Sequence, residues 1–258
     1  MSRLRARCPL CRTLTAVAIG PDYQCHSCGR EFGAGLVRVP RAWGAGGERM
    51  AEAAWLELPY PEASVVAEPS LAEQTLALAA DLPDRPLVLG GCCCAHVGAV
   101  EGLSQGEETL AVVWIDAHGD LNTPASSPSG NAWGMPLRML IDDGALDPAN
   151  VALVGARALD PPEVQFIEES GLHTGAGAVE GALAGTDAVY VALDGDSVAA
   201  DELDVFYPEP GGLGLDELEA LLRGLAARHR VAGAGLTGLV GAPENEPKLA
   251  RLCSALGL

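Results

Sequence analysis

The sequence predicts an α/β protein in which a mostly parallel sheet is covered by helices on both faces, with a small metal-folded module in front of it. Short, continuously apolar runs alternate with helix-length segments through most of the chain, the pattern of strands buried on both sides. Two Cys-x-x-Cys turns stand near the start, ahead of that alternation. At 258 residues, 48% hydrophobic and 20% charged, the chain has apolar material for one large core and a small appendage.

The segments "CPLC" at Cys8–Cys11 and "CHSCG" at Cys25–Gly29 each offer two thiolates to one tetrahedral Zn²⁺, and residues 12–24 between them can form a short hairpin. Residues 1–36 therefore read as a zinc-ribbon-like module with one structural Zn²⁺ held by Cys8, Cys11, Cys25 and Cys28. So small a module holds little core, and the metal would supply its folding energy. Its role is structural or recognitional, and its partner is not legible. His26, inside the second turn, reads as solvent-facing.

A connector, "VPRAWGAGGER", leads into a body spanning 37–258. Within it "WLELPY" reads as a candidate strand and "LAEQTLALAADL" as a helix. Strand and helix then alternate: "PLVLGG" before "AHVGAVEGL", "AVVWIDAHGD" before "GMPLRMLIDDG", "VALVGAR" before "PPEVQFIEESG", "AVYVALDGD" before "GLDELEALLRGLAARH", and "VAGAGLTGLVG" before "NEPKLARLCSALG". Cys253 falls on the apolar face of the last helix and reads as core, whereas His173 and His229 read as surface residues near helix ends.

In parallel sheets ligands bind at the carboxyl ends of strands. Asp116, His118 and Asp120 end one apolar run, and Asp194 and Asp196 end another. Alternation along a strand sends positions i and i+2 to one side, so both clusters are expected to face one crevice. Converging carboxylates repel one another in a desolvated cleft unless a cation offsets them. Two strand ends delivering these five groups make a candidate two-metal site.

With 35 acidic against 16 basic residues, the net charge of -19 repels phosphate backbones and argues against nucleic acid as a partner of the body. Arg3, Arg5, Arg7 and Arg12 are a local exception beside the first cysteine pair. No apolar run reaches the roughly 20 residues of a membrane span, and the apolar stretch of a signal peptide is not seen. A cytoplasmic location is expected.

The same residues resemble the arginase/agmatinase (ureohydrolase) superfamily. "DAHGD" is similar to its Asp-x-His-x-Asp signature, "ALDGDSV" to its Ser-x-Asp-x-Asp, "VLGGCCCAHVGAVEGL" to its Gly-Gly-Asp-His-Ser segment, and "SGNAWGMPLRML" to its substrate loop. Order and spacing agree from Pro86 to Leu258. The resemblance implies an arginase-like three-layer sandwich, commonly oligomeric, and two metal ions, usually Mn²⁺, bridged by a hydroxide that attacks a guanidinium or related carbon. Asp116 and Asp194 would bridge the metals, Asp120 would ligate one and orient the hydroxide as the catalytic residue, and His118 with Asp196 would hold the other.

Three positions depart from the family pattern. The sixth ligand, normally His, falls on Cys93, whose softer thiolate favours Zn²⁺, Fe²⁺ or Co²⁺ over Mn²⁺; His96 is the alternative ligand if the loop shifts. The substrate-loop His becomes Trp133, which cannot transfer protons near neutral pH, while Asn131 keeps a substrate contact. The Glu with which guanidinium-hydrolysing members hold substrate becomes Val240, with Glu244 nearby in sequence, and the family's Asp-Pro after the second motif is replaced by "SVAADELD".

The expected function is metal-dependent hydrolysis of a linear C–N bond in an amidine, amide or ureido-type small molecule less cationic than arginine. Two alternatives stay open: a noncatalytic metal-binding or regulatory protein of the same fold, and a single-zinc deacetylase-like hydrolase.

Overall fold

The computed structural model describes residues 5–106 and 108–258; Arg3 lies outside them. The chain runs β1 (Arg5–Ala6), β2 (Ala16–Ile19), β3 (Asp22–Cys25), β4 (Glu31–Phe32), β5 (Gly35–Val39), α1 (Glu48–Ala53), β6 (Glu62–Val65), α2 (Leu71–Ala80), β7 (Pro86–Gly90) and α3 (Cys94–Ser104). It continues through β8 (Leu110–Ile115), α4 (Pro136–Asp142), β9 (Val151–Val154), α5 (Pro161–Ser170), β10 (His173–Thr174), α6 (Val179–Ala182), β11 (Ala188–Asp194), α7 (Leu215–Arg228), β12 (Val231–Thr237) and α8 (Glu246–Ala255).

β1 to β4 form a four-stranded antiparallel sheet in sequential order. The other eight strands form one sheet in the order β10-β9-β8-β11-β12-β7-β5-β6, and every pairing between them is parallel. Its strands are apolar throughout because alternate residues enter different layers. Along β8, Ala111, Val113 and Ile115 pack with leucines of α7 and α8, while Leu110, Val112 and Trp114 pack with α3 and α4. Three layers result. Only glycine fits at 235, because a Cβ there would run into His96 and Tyr190 of the second cluster.

The LAEQTLALAADL helix is α2, its start held by Ser70, whose hydroxyl accepts from the Glu73 N–H. The expected strand at WLELPY does not form: Pro59 and Pro61 deny it ladder donors, and pairing resumes beyond them in β6. β5 begins at Gly35, so the junction at 36 and 37 falls inside a strand of the main sheet. His173 lies in β10 and is half-buried against Gly181, and His229 caps α7 with Nε2 3.2 Å from Glu180, so neither is simply a free surface residue. Cys253 is core and His26 is exposed.

The small sheet docks on the edge of the large one. Arg7 and Glu62 exchange backbone hydrogen bonds at 2.9 and 3.0 Å, and the Arg38 guanidinium donates to Glu62 at 2.8 Å. Arg12 pairs with Glu57 at 2.8 Å, which commits part of the N-terminal basic cluster to the chain's own body. No helix among the described residues is long and apolar enough to cross a membrane.

Candidate metal centre

The carboxyl ends of β8 and β11, adjacent strands at the middle of the sheet, carry the acidic clusters. The groups converge as expected, but strand alternation is not the cause. β8 ends at Ile115, and the chain then turns: the His118 N–H donates to Asp116 Oδ1 at 2.7 Å, and Asp120 adopts a left-handed φ of 52°. After β11 a short helical turn, Gly195–Ser197, brings Asp196 round, its N–H donating to Asp194 Oδ1 at 3.0 Å. A local carboxylate-to-backbone bond shapes each loop.

Two sets of three donors result. Cys93, Asp116 and Asp120 present ligand atoms all within 4.8 Å of one another, as do Asp116, His118 and Asp196. Asp116 belongs to both. Its Oδ2 accepts from the Trp114 indole at 3.2 Å, while Asp196 Oδ2 lies 3.0 Å from His118 Nδ1 and Asp196 Oδ1 accepts from the Ala117 N–H at 3.1 Å. Asp194 stands beside these sets: its Oδ2 accepts from the Cys93 thiol at 2.9 Å and from the Thr237 hydroxyl at 3.3 Å.

Asp120 Oδ2 is buried without a hydrogen-bond partner. Burial, and then the charges of Asp116 and Asp194, push this carboxyl well above the usual carboxylate range. Burial likewise raises Asp194 to about 7 and Asp196 to about 6, with neighbouring carboxylate charge adding to it. His118 moves the other way: burial alone would lower it, but its bonds to Asp116 and Asp196 push it up to about 12. The cluster thus binds positive charge wherever it can obtain it, and an orphaned, buried carboxylate oxygen among imidazole, thiol and carboxylate donors fits divalent metal ions.

Cys93 precedes α3 in a helical conformation (φ -55°, ψ -18°), so residues 92–94 are not extended. Cys92 and Cys94 are buried and pack with Met50, as expected of small apolar side chains. His96 is fully buried behind the site, Nδ1 3.1 Å from the Tyr190 hydroxyl and Nε2 3.1 Å from Thr237 Oγ1, and belongs to neither donor set. Val240 is buried outside the cavity, and Glu244 is exposed and does not line it.

Above the donors opens a cavity of about 480 Å³. Asn131 and Trp133 both line it; Asn131 Oδ1 also accepts from the Ala45 N–H at 2.9 Å. Sequence reasoning missed other wall residues. Arg157 donates to the carbonyls of Gly155, Asp196, Glu209 and Pro210, tying the loop after β11 to the segment that follows it. Glu163 reaches the Leu121 N–H at 2.9 Å and closes a capping box with Asp160, a signal legible in "DPPE". Glu209 lies 3.5 Å from His118 Nε2, and nothing in "PEPGG" advertises that contact.

At the other end, the four ribbon thiols lie together, Cys8 Sγ 3.8 Å from Cys28 Sγ and Cys11 Sγ 3.5 Å from Cys25 Sγ. The Thr15 hydroxyl brings Cys25 down to about 5, and burial raises Cys8 to about 11.

Fold and site together define a parallel α/β sandwich with a carboxylate-rich cluster of metal-type donors at its strand ends. Residues 53–247 match the Arginase family, and the chain belongs to it. Arginase from Staphylococcus aureus (strain COL) is 46% identical over 99 residues, 34% of this chain and 33% of that protein. The chain thus spans 33% of the length of that curated relative. Arginase from Brevibacillus brevis is 33% identical over 198 residues, 66% of each. Among solved structures, arginase from Bacillus cereus superposes with a TM-score of 0.74 at 25% identity, covering 86% of this chain and 97% of that one. Formimidoylglutamase from Bacillus subtilis shares the fold, with a TM-score of 0.70 at 18% identity over 87% of each chain.

Proposed function

We propose that this chain is a metal-dependent hydrolase of a linear C–N bond in an amidine, amide or ureido-type small molecule. The observation that carries the reading is Asp116, shared by two donor sets at the floor of a cavity large enough for such a substrate. Cys93, Asp116 and Asp120 would hold one divalent ion; Asp116, His118 and Asp196 would hold the other, with Asp194 turning from Cys93 to join them. Mn²⁺ is the family's usual metal, and the Cys93 thiolate moves the preference toward Zn²⁺, Fe²⁺ or Co²⁺. When bound, the ions supply Lewis-acid charge that acidifies water and stabilises charge developing at the attacked carbon.

The chain's own residues do the rest. Asp120 is the catalytic residue, because Oδ2 is the buried acceptor free to orient an attacking water and take its proton. Asn131 and Trp133 bound the substrate. Arg157 holds the Asp196 loop in place through the 2.7 Å bond to its carbonyl. Four thiols at Cys8, Cys11, Cys25 and Cys28 would bind one structural Zn²⁺. All eight cysteines are free, in keeping with a reducing, cytoplasmic setting, and assembly into homo-oligomers follows the family resemblance.

Trp133 favours a second reading, a noncatalytic metal-binding protein, because an indole stands where the resembling family places a proton-transferring His. Elemental analysis tests both. The hydrolase predicts about three metals per chain, two lost in Asp116→Ala/Asp194→Ala and one in Cys25→Ser/Cys28→Ser, followed by turnover in a panel of amidines and amides. Full metal content without turnover selects the second reading. Metal lost only in the Cys variant ends the hydrolase, and a single body ion selects the single-zinc alternative.

A further inference from the structure

Six carboxylates line the cavity: Asp116, Asp120, Asp160, Glu163, Asp194 and Asp196. Against them stands one guanidinium, Arg157, which gives four hydrogen bonds to backbone carbonyls. With two divalent cations bound and these groups ionised, the six carboxylates and the Cys93 thiolate still outnumber the positive charges, even with His118 counted among them. A substrate carboxylate would enter without a free cationic partner.

The remaining wall is aromatic. The Tyr207 ring stands 6.2 Å from that of His118, Phe206 lies 6.2 Å from Tyr207, and Trp133 lies 6.1 Å from Phe206. A continuous strip therefore runs from a metal-site donor along the cavity. It is built in, since Trp133 and Phe206 pack on Met50, Cys92 and Cys94, and a Cβ at Gly44 would run into the indole. Aromatic faces bury apolar groups and attract delocalised cations, and the carboxylates around them favour positive charge.

We infer that the substrate is an amidine or guanidine carrying an aromatic or branched apolar substituent and no carboxylate, its substituent lying along Trp133, Phe206 and Tyr207. The inference rests on the hydrolase reading for the position of the reacting carbon.

Calorimetric titration of the metal-loaded full chain with phenylguanidine, methylguanidine and L-arginine tests it, with metal content measured on the same samples. Phenylguanidine is expected to bind about tenfold more tightly than either of the others. Trp133→Ala should bring that ratio close to one with metal content unchanged. Tyr207→Ala, at a position 61% exposed and therefore no threat to the core, should lower it about threefold. Arginine binding as tightly as phenylguanidine, or ratios that neither variant alters, overturns the aromatic wall. A body without metal overturns the hydrolase instead, and the wild-type binding ratio still decides the wall.

Discussion

Around Cys8, Cys11, Cys25 and Cys28 the buried apolar side chains are few, chiefly Ala6, Ala16, Tyr23 and Ala63, and two of the thiols are themselves part of that cluster. Under Asp116 and Asp194, by contrast, lie two extensive apolar clusters, one on each face of an eight-stranded sheet. In the small sheet the four thiols are a large share of what packs between the strands, whereas at the large sheet the candidate donors sit on loops projecting from an extensive apolar core. The same type of bound ion would therefore fold one region and equip the other. The difference lies in how much apolar surface each region can bury for itself.

Chelation should separate the regions most sharply. Removing all metal is expected to expose the ribbon amides to hydrogen exchange, with a loss on the order of 10 kcal/mol of binding free energy there, while the sheet keeps its protection. Collapse of both together would show that the sheet also depends on its ions.

The next effect reads the core beneath the site. Burial holds His96 down to about 3, while in the unfolded chain it protonates near the ordinary histidine value of about 6.5. The unfolded state therefore binds more protons between those values, so this group's stabilisation is complete above pH 6.5 and is lost as pH falls toward 3. Wild type should lose about 2 kcal/mol more than His96→Gln between pH 7 and pH 5, measured by urea unfolding at each pH. Parallel losses would contradict a neutral, buried His96.

Cys93→His sharpens the contrast between thiolate-rich and carboxylate-rich sites. Competitive metal titration should show preference shifting toward Mn²⁺ over Zn²⁺ by about tenfold in the body, with the ribbon unaffected. An unchanged preference would remove Cys93 from the ligand set. The smallest effect belongs to the seam: Arg12→Ala breaks an exposed ion pair with Glu57 and should leave the urea unfolding midpoint almost unchanged. A larger loss would mean that the pair, and not the Arg7–Glu62 backbone bridge, anchors the ribbon.

Much of the site was legible because ligand chemistry is written in residue types. Asp116, His118, Asp120, Asp194 and Asp196 could be picked out beforehand, as could Cys93 in the turn between β7 and α3. Their convergence was anticipated for a different reason, since left-handed φ at Asp120 and the carboxylate-to-backbone turns bring it about where strand pleating was expected to. Glu209, Phe206 and Tyr207 carried no signal, because they meet His118 and Trp133 only through the path of a long loop. The strand misread at WLELPY shows the same limit: its apolar residues suit a strand, and Pro59 within it and Pro61 after it decide otherwise.

What the sequence by itself determined is the class of structure and the chemistry on offer: alternating apolar runs that must be buried on both faces, thiol pairs at metal spacing, and acidic groups at strand ends. Those properties are local, set by residue type and by separations of a few positions. Only the tertiary structure decided which donors share Asp116, that His96 stands behind the site and not in it, and that an aromatic strip faces six carboxylates across one cavity. Such relations join residues far apart in the chain, and they exist only once the sheet order has placed β8, β11 and β12 side by side.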